Sequence, residues 1–148
     1  MHFNRDDIDA VVQGVWSTML FAEIAPVGPA APGAPGGPLF RGTIAIVGDW
    51  SGTLALDLAV AQAHVAACAM LDMKPGETSE DDAREIASEL TNIIGGNVKA
   101  LLPEGARLGL PSVELRADAE WPPALPGEIS RHAFAWEGAV FWLSIAAA

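Results

Sequence analysis

The sequence predicts an α+β fold in which an antiparallel sheet packs against helices on one face. Two segments repeat apolar residues at steps of three and four, as amphipathic helices do, and a third is Ala-rich without Gly or Pro. Apolar, partly alternating stretches are joined in pairs by short turn sequences, and such hairpins build antiparallel sheets. A length of 148 residues suits one hydrophobic core, so we expect residues 1–148 to form a single domain.

The first predicted element is an amphipathic helix, and Asp6 or Asp7 is placed to cap its start. The apolar residues on its buried face are Ile8, Val11, Val12, Val15, Trp16, Met19 and Leu20. Pro26 prevents the helix from continuing. Residues 26–38 hold five prolines and four glycines in thirteen positions, which predicts a flexible or polyproline-like loop.

A hairpin and a second helix are predicted next. Residues 40–47 and 53–58 carry alternating apolar side chains, and residues 48–52 (GDWSG) between them are typical of a turn. Residues 59–73 lack Gly and Pro, so we expect a helix there that Pro75–Gly76 ends.

The third helix is predicted over residues 80 to about 102. Thr78 or Ser79 is placed to cap it, and the three acidic residues 80–82 suit the positive end of the helix dipole. Pro103 closes the helix.

The remaining elements are predicted strands. Residues 107–115 form one that Pro111 interrupts. Residues 132–136 and 139–145 flank Glu137–Gly138, which predicts a tight hairpin. The second strand of this hairpin is apolar on both faces, so it would be an association surface if it lay at a sheet edge.

The charge of the chain excludes several classes of partner. Nineteen acidic residues oppose eight scattered basic residues, giving a formal net charge of −11. The sequence has no Lys or Arg patch to neutralise a phosphate backbone or an anionic lipid surface, which argues against nucleic-acid and membrane binding. A partner protein that supplies its own cations fits this charge better.

Compartment and metal content also follow from composition. The most apolar stretch, residues 54–73, is interrupted by four polar or charged residues, whereas a membrane span needs about 20 nearly uncharged ones. The first fifteen residues lack the pattern of a secretory signal, so we expect a cytoplasmic protein. Cys68 lies alone in an apolar run and predicts a buried, inert thiol, and no His pair has metal-ligand spacing.

The third helix carries the functional signal. At about 100° per residue, Glu85, Glu89, Asn92 and Gly96 fall on an arc only about 60° wide, which we call the ridge. It presents two carboxylates, one amide and one position without a side chain. The neighbouring core arc is predicted to hold Ile86, Leu90, Ile93, Ile94 and Leu101, together with Asn97 in a packing or hydrogen-bonding role.

A solvated helix face is the alternative interpretation of the ridge, and two features weigh against it. Glu85 and Glu89 are like charges four residues apart, with no Lys or Arg at i+4 to relieve them. Gly95 and Gly96 lie inside the helix, where each costs roughly 1 kcal/mol relative to Ala. Gly95 points to the opposite surface, where it allows tight packing or a bend, whereas Gly96 leaves room on the ridge for another backbone.

Residues 89–97 (ELTNIIGGN) resemble the signature helix of the CheX/CheC/FliY family of chemotaxis phosphatases. The family pattern is an acidic residue or Ser, a Glu four residues later and an Asn three further on. Glu85, Glu89 and Asn92 match it in that order. The other segments that resemble the family are 15–20 in its first helix, and 42–48 and 52–56 in its first hairpin. The resemblance covers most of the chain and implies a CheC/CheX-like α+β domain.

The resemblance also implies an activity, which is accelerated hydrolysis of the aspartyl phosphate on a CheY-type response regulator in chemotaxis or another two-component pathway. Asn92 then positions the attacking water, because an amide both donates and accepts hydrogen bonds. Glu89 pairs with a regulator Lys, and Glu85 and Gly96 contact the partner. The phosphorylated regulator is expected to supply Mg²⁺, so the protein needs no cofactor of its own.

Other interpretations remain open. CheC-type members carry two such motifs, but the first helix here has no Glu-x-x-Asn, so one site per chain is expected. CheX-like proteins dimerise through sheet edges, and a homodimer is the corresponding hypothesis for this chain. The alternative function is a non-catalytic CheX-like module that binds a receiver domain or a flagellar-switch-type partner. A third possibility is a structural protein whose ridge is simply solvated.

Overall fold

A computed structural model describes residues 3–28, 37–117 and 124–148. Its elements are α1 (Arg5–Leu20), β1 (Pro26–Val27), β2 (Leu39–Val47), β3 (Gly52–Ala59), α2 (Val60–Leu71), α3 (Glu80–Lys99), β4 (Arg107–Leu108), β5 (Ser112–Arg116), β6 (Glu128–Trp136) and β7 (Ala139–Ala147). This order confirms the predicted series of helix, hairpin, two helices, strand and hairpin. The segment predicted as a loop begins instead with β1, and its residues 29–36 lie outside the described residues.

All strand pairs of the described residues are antiparallel and form one sheet, as predicted. The order is β1-β6-β7-β3-β2-β4, and β5 also pairs with β2. Pro111 separates β4 from β5 along the same side of β2, which is the predicted interruption.

The last strand does not lie at a sheet edge. β7 pairs with β3 on one side and with β6 on the other. The chain reverses at Glu137 and Gly138, whose φ values are 53° and 73°, and this tight turn places β6 outside β7. Its apolar side chains divide between two clusters, with Phe141, Leu143 and Ile145 in the main core and Val140 and Trp142 in a second cluster with Ala133. The edge position on which the homodimer hypothesis rested is wrong.

The core lies between the sheet and the three helices. Trp16 of α1 stacks on Phe141 of β7 with ring centroids 4.4 Å apart. Trp136 of β6 contacts Trp16 edge-on, with ring centroids 5.6 Å apart. Among the predicted core residues of α3, Ile86, Leu90 and Ile94 are buried, but Ile93 is only half-buried. Leu101 is exposed because α3 ends at Lys99, before it. Cys68 is half-buried rather than buried. None of the helices in the described ranges has the length and apolar character needed to cross a membrane.

A buried ion pair fixes the first hairpin on the face of the sheet away from the helices. Arg41 Nε donates to Asp57 Oδ1 at 2.7 Å and Nη2 donates to Oδ2 at 2.9 Å, while Nη1 donates to the Ala124 carbonyl at 2.8 Å. The two residues are direct cross-strand partners in the hairpin register. Burial raises the pKa of Asp57, and Arg41 opposes that shift. A paired charge of this kind tolerates little change in register.

Helix α1 is tied to β6 through a buried histidine. His132 Nδ1 lies 3.1 Å from Asp9 Oδ1, and its Nε2 lies 3.1 Å from Ser130 Oγ. Arg5 Nη2 donates to the Arg131 carbonyl at 3.1 Å beside this contact. Burial lowers the pKa of His132, although its hydrogen bond to Asp9 partly offsets the shift. The folded protein therefore favours the neutral imidazole.

The burial of His132 predicts that the stability of the protein falls in mild acid. Below pH 6.5, the ordinary His value, the unfolded chain binds a proton that folded His132 resists, so the free energy of unfolding decreases until the lower folded pKa is reached. The slope is at most about 1.4 kcal/mol per pH unit. Urea unfolding between about pH 7.5 and 5.5 measures it. The His132→Gln variant should show a flatter dependence of stability on pH, and a His64→Gln control should show the wild-type slope. An equal slope in wild type and His132→Gln would show that His132 is not the cause of the pH dependence.

Candidate functional site

The helix that carries the ridge is fixed at its start by side-chain caps. Ser79 Oγ accepts a hydrogen bond from the Asp82 backbone N–H at 3.1 Å, and Asp82 Oδ2 accepts one from the Ser79 N–H at 2.9 Å. This reciprocal arrangement is a capping box, and it identifies Ser79 rather than Thr78 as the N-cap. The acidic first turn at 80–82 lies at the positive end of the helix dipole. The sequence of α3 thus determines where its first turn lies.

Two glycines allow α3 to lie close to β2. Thr91 is buried, and its hydroxyl donates to the Ala87 carbonyl at 2.7 Å. Gly42 of β2 lies directly beneath, so that a Cβ there would overlap the Thr91 hydroxyl. Gly95 is buried one turn further on, where a Cβ would lie 2.9 Å from Ile44 Cγ2 and 3.1 Å from Leu108 Cδ1. The predicted tight packing at Gly95 is therefore confirmed.

The ridge faces outward on the side of α3 away from the sheet. Glu85 and Glu89 are exposed, whereas Asn92 and Gly96 are half-buried. Within the described parts of the chain, the three polar side chains of the ridge form no hydrogen bond or ion pair. The helix brings the four predicted site residues onto one surface and leaves their polar groups available to a partner.

Gly96 differs from its neighbour Gly95 in its surroundings. A Cβ at Gly96 would have no heavy atom within 4 Å, so the packing of this chain does not require a glycine there. A glycine inside a helix nevertheless costs roughly 1 kcal/mol relative to Ala. Open space at a residue without a side chain is what close approach of a second molecule requires.

The charge of the ridge is not compensated by its neighbours on α3. Arg84 turns to the other side of the helix, where Nη1 donates to the Val113 carbonyl at 3.0 Å and the guanidinium lies 5.4 Å from the Phe40 ring centroid. Neither carboxylate of the ridge forms an ion pair with a residue that the structure describes. No group of three or more His, Cys, Asp or Glu side chains is placed to hold a metal ion among the residues that the structure describes.

Some details of α3 were not predicted. Asn97 is exposed rather than in the core arc, and its Nδ2 donates to the Ile93 carbonyl at 2.9 Å. The predicted core position is wrong, while the alternative hydrogen-bonding role is observed. The contact of Thr91 with Gly42 was also missed, although a glycine inside a strand is a known signal of close backbone approach.

Comparison with known proteins gives one family match and several structural matches. A family model described as "Chemotaxis phosphatase CheX" matches residues 40–123, more than half of the chain. No curated protein sequence matches the chain. The chain is similar to the chemotaxis protein CheX from Vibrio vulnificus, with 20% identity, a TM-score of 0.79 and coverage of 100% of this chain and 99% of that one.

Two further solved structures have the same fold. One is a chemotaxis protein CheX from Desulfovibrio desulfuricans, with 18% identity, a TM-score of 0.77 and 97% of each chain covered. The other comes from a CheX–CheY–BeF3–Mg²⁺ complex from Borrelia burgdorferi, with 17% identity, a TM-score of 0.73 and 99% of each chain covered. At these identities the likeness shows the fold, and it confirms the predicted CheC/CheX-like architecture.

The two adjacent glycines of α3 should respond oppositely to the same substitution. Gly95→Ala forces a Cβ against Ile44 and Leu108, so we expect the free energy of unfolding to fall by about 1–3 kcal/mol. Gly96→Ala meets open space and improves helix propensity, so we expect a gain of up to about 1 kcal/mol. Urea unfolding measures both values. A loss of stability in Gly96→Ala equal to that in Gly95→Ala would show that Gly96 serves internal packing.

Proposed function

Because the chain belongs to the CheX family of chemotaxis phosphatases, we propose that it accelerates hydrolysis of the aspartyl phosphate on a CheY-type response regulator. The single observation that carries this proposal is the ridge of α3, where a free amide stands between two free carboxylates and an open glycine. The Borrelia burgdorferi relative was solved in complex with CheY, BeF3 and Mg²⁺, which supports a receiver domain as the partner.

Asn92 is the proposed catalytic residue. Its amide oxygen accepts a hydrogen bond from the attacking water, and its amide nitrogen donates to an oxygen of the phosphoryl group. The water oxygen then bonds to phosphorus in line as the bond from phosphorus to the regulator's carboxylate breaks, releasing inorganic phosphate and a free Asp. Because the leaving carboxylate is good and the transition state is loose, positioning the water suffices and no strong base is required.

Glu89 is proposed to dock the ridge on the regulator. It lies one turn before Asn92 and is exposed without an internal partner, so its carboxylate is free to pair with a Lys beside the phosphoryl group. Glu85 extends the same acidic surface, and Gly96 admits the regulator's backbone next to Asn92. An acidic protein can bind in this way because the cations, a Lys and the Mg²⁺ that neutralises the phosphoryl charge, belong to the partner.

Three properties stay predictions beside this function: a homodimer, a cytoplasmic location and a single domain. With β7 inside the sheet, a homodimer formed through a sheet edge would use one of the two edges seen in the described residues, along β4 and β5 or along β1 and β6. Cytoplasmic localisation agrees with a partner in two-component signalling. One domain over residues 1–148 also remains our proposal.

Replacing Asn92 should abolish catalysis without preventing binding. We expect Asn92→Ala to reduce the stimulated rate of receiver dephosphorylation by on the order of 10²-fold or more, because the water loses its orientation. Phosphate release from the phosphorylated receiver domains of the source organism in Mg²⁺ measures the rate. The melting temperature and the affinity for a receiver loaded with BeF3 and Mg²⁺ serve as controls.

If wild type and Asn92→Ala both bind the receiver but neither accelerates hydrolysis, the result would instead favour the non-catalytic binding module. If neither protein binds or dephosphorylates any receiver, the ridge is a solvated surface and the proposed function is wrong.

Replacing Glu89 should affect docking more than chemistry. We expect Glu89→Ala to raise KM for the phosphorylated receiver by roughly tenfold, as loss of one charge-assisted contact of about 1.4 kcal/mol would. Glu104→Ala removes the same charge from an exposed site beyond α3 and should leave KM unchanged. Equal effects of the two substitutions would show that only the overall charge of the protein matters.

A further inference from the structure

Beside the ridge, a groove of about 340 Å³ runs between α1 and α3. Its lining residues are Ala10, Val11, Gly14, Val15, Thr18 and Met19 of α1, and Ile93 and Asn97 of α3. None of them is charged, although the chain carries a formal net charge of −11. The volume lies at the lower end of the range for ligand sites, about 300–1,000 Å³, and suits one or two inserted side chains.

The two helices that form the groove run in opposite directions. Phe3, just before α1, contacts Trp50 in the β2–β3 turn with ring centroids 4.9 Å apart. Ala106, a few residues after α3, lies against Gly48 of the same turn. The start of α1 and the end of α3 therefore lie at the same end of the sheet. The groove therefore lies between two antiparallel helices, with one wall from α1 and the other from α3.

The groove is continuous with the ridge. Ile93 forms part of its α3 wall and lies one turn from Glu89 and adjacent to Asn92 on the same helix. A molecule that sits over the ridge therefore lies next to the α3 wall of the groove.

Gly14 is the feature of the groove that the fold itself does not explain. It is exposed in the middle of α1, where a glycine weakens a helix, and a Cβ there would meet no heavy atom of the described residues within 4 Å. Gly42 and Gly95, by contrast, are explained by contacts within the chain. Gly14 keeps the α1 wall of the groove low and the groove open.

The rim of the groove identifies the kind of occupant. Asp7 lies two turns before Gly14 on the same face of α1 and is exposed, and Glu85 and Glu89 stand on the α3 side. An uncharged groove between acidic rims fits a protein surface on which an apolar side chain projects beside cations. A receiver's phosphorylation site brings such cations, the Mg²⁺ seen with CheY and BeF3 in the Borrelia burgdorferi complex and the Lys proposed above to pair with Glu89. A second copy of this acidic chain would instead bring like charges together.

We propose that the groove between α1 and α3 receives an apolar side chain of the phosphorylated receiver domain, and that Gly14 is a specificity-determining residue which keeps room for it. This proposal rests on the proposed function, because the same receiver must have Asn92 at its phosphoryl group. The ridge then carries the chemistry, and the groove contributes to the choice of receiver.

The test is to fill the groove in steps with Gly14→Ala and Gly14→Leu. Both residues form helices better than Gly and meet open space, so neither variant should melt below wild type. Ala69→Leu places the same Leu side chain at an exposed position of α2 outside the groove and is the control. For each variant, kcat and KM are measured with the phosphorylated receiver, and affinity is measured with the receiver loaded with BeF3 and Mg²⁺.

We expect Gly14→Leu to weaken binding and raise KM by about tenfold or more, with a smaller effect of Gly14→Ala. The loss should fall on KM rather than on kcat, and Ala69→Leu should behave as wild type. If a folded Gly14→Leu protein keeps wild-type affinity and KM, the groove proposal is overturned while the phosphatase stands. If Gly14→Leu instead changes the sedimentation of the protein alone and not receiver binding, the groove joins two copies of the chain and the proposal is again wrong.

The affinity measurement distinguishes a failure of the groove proposal from a failure of the proposed phosphatase function. Receiver binding that weakens in Gly14→Leu, in a protein that never accelerates hydrolysis, would support the groove and refute the phosphatase. Wild-type protein that neither binds nor dephosphorylates any receiver would refute both.

Discussion

The close contact between α3 and β2 is the constraint on which the candidate site depends. Thr91 sits over Gly42, and Gly95 packs against Ile44, so the rotation of α3 about its own axis is fixed at two successive turns. Each residue of a helix is turned about 100° from the one before it. The residues that follow these two contacts, Asn92 and Gly96, are therefore less buried than Thr91 and Gly95 and lie on the outward side. Residues that pack against the sheet and residues of the ridge therefore alternate along the short segment 91–96.

The contacts that stabilise the fold lie outside the ridge, so the ridge side chains are not needed to hold the fold together. The stacked rings around Trp16 join α1 to the sheet, the pair of Arg41 and Asp57 fixes the first hairpin, and Ser79 caps α3. The ridge has features that cost stability, since Glu85 and Glu89 repel each other without a nearby cation. Functional surfaces often carry such costs, because their groups are arranged for a partner rather than for the folded chain.

Local patterns predicted most of the elements and the ridge. The turn sequences of both hairpins and the helical spacing of Glu89 and Asn92 act over a few residues, so a single sequence reveals them. The N-cap of α3 was narrowed to Thr78 or Ser79, and the capping box identifies Ser79. The end of α3 was predicted too late because Pro103 stops a helix without fixing its last turn, and Leu101 was therefore misplaced.

Long-range pairing explains what the sequence did not reveal. The position of β7 inside the sheet depends on its pairing with β3, more than 80 residues earlier in the chain, and periodicity contains no information on strand order. The pair of Arg41 and Asp57 did leave a signal, because both residues are equally distant from the turn at Asp49. Counting the register from that turn would have placed the two charges opposite each other.

The proposed function requires the outward side of α3 to enter a receiver's phosphorylation site. A crystal structure of the protein bound to its receiver, loaded with Mg²⁺ and BeF3, tests it most directly. We expect the Asn92 amide within hydrogen-bond distance, about 3 Å, of the beryllofluoride group or of a water in line with it, and Glu89 beside the receiver's Lys. A receiver bound on another face, with Asn92 still exposed to solvent, would contradict the claim.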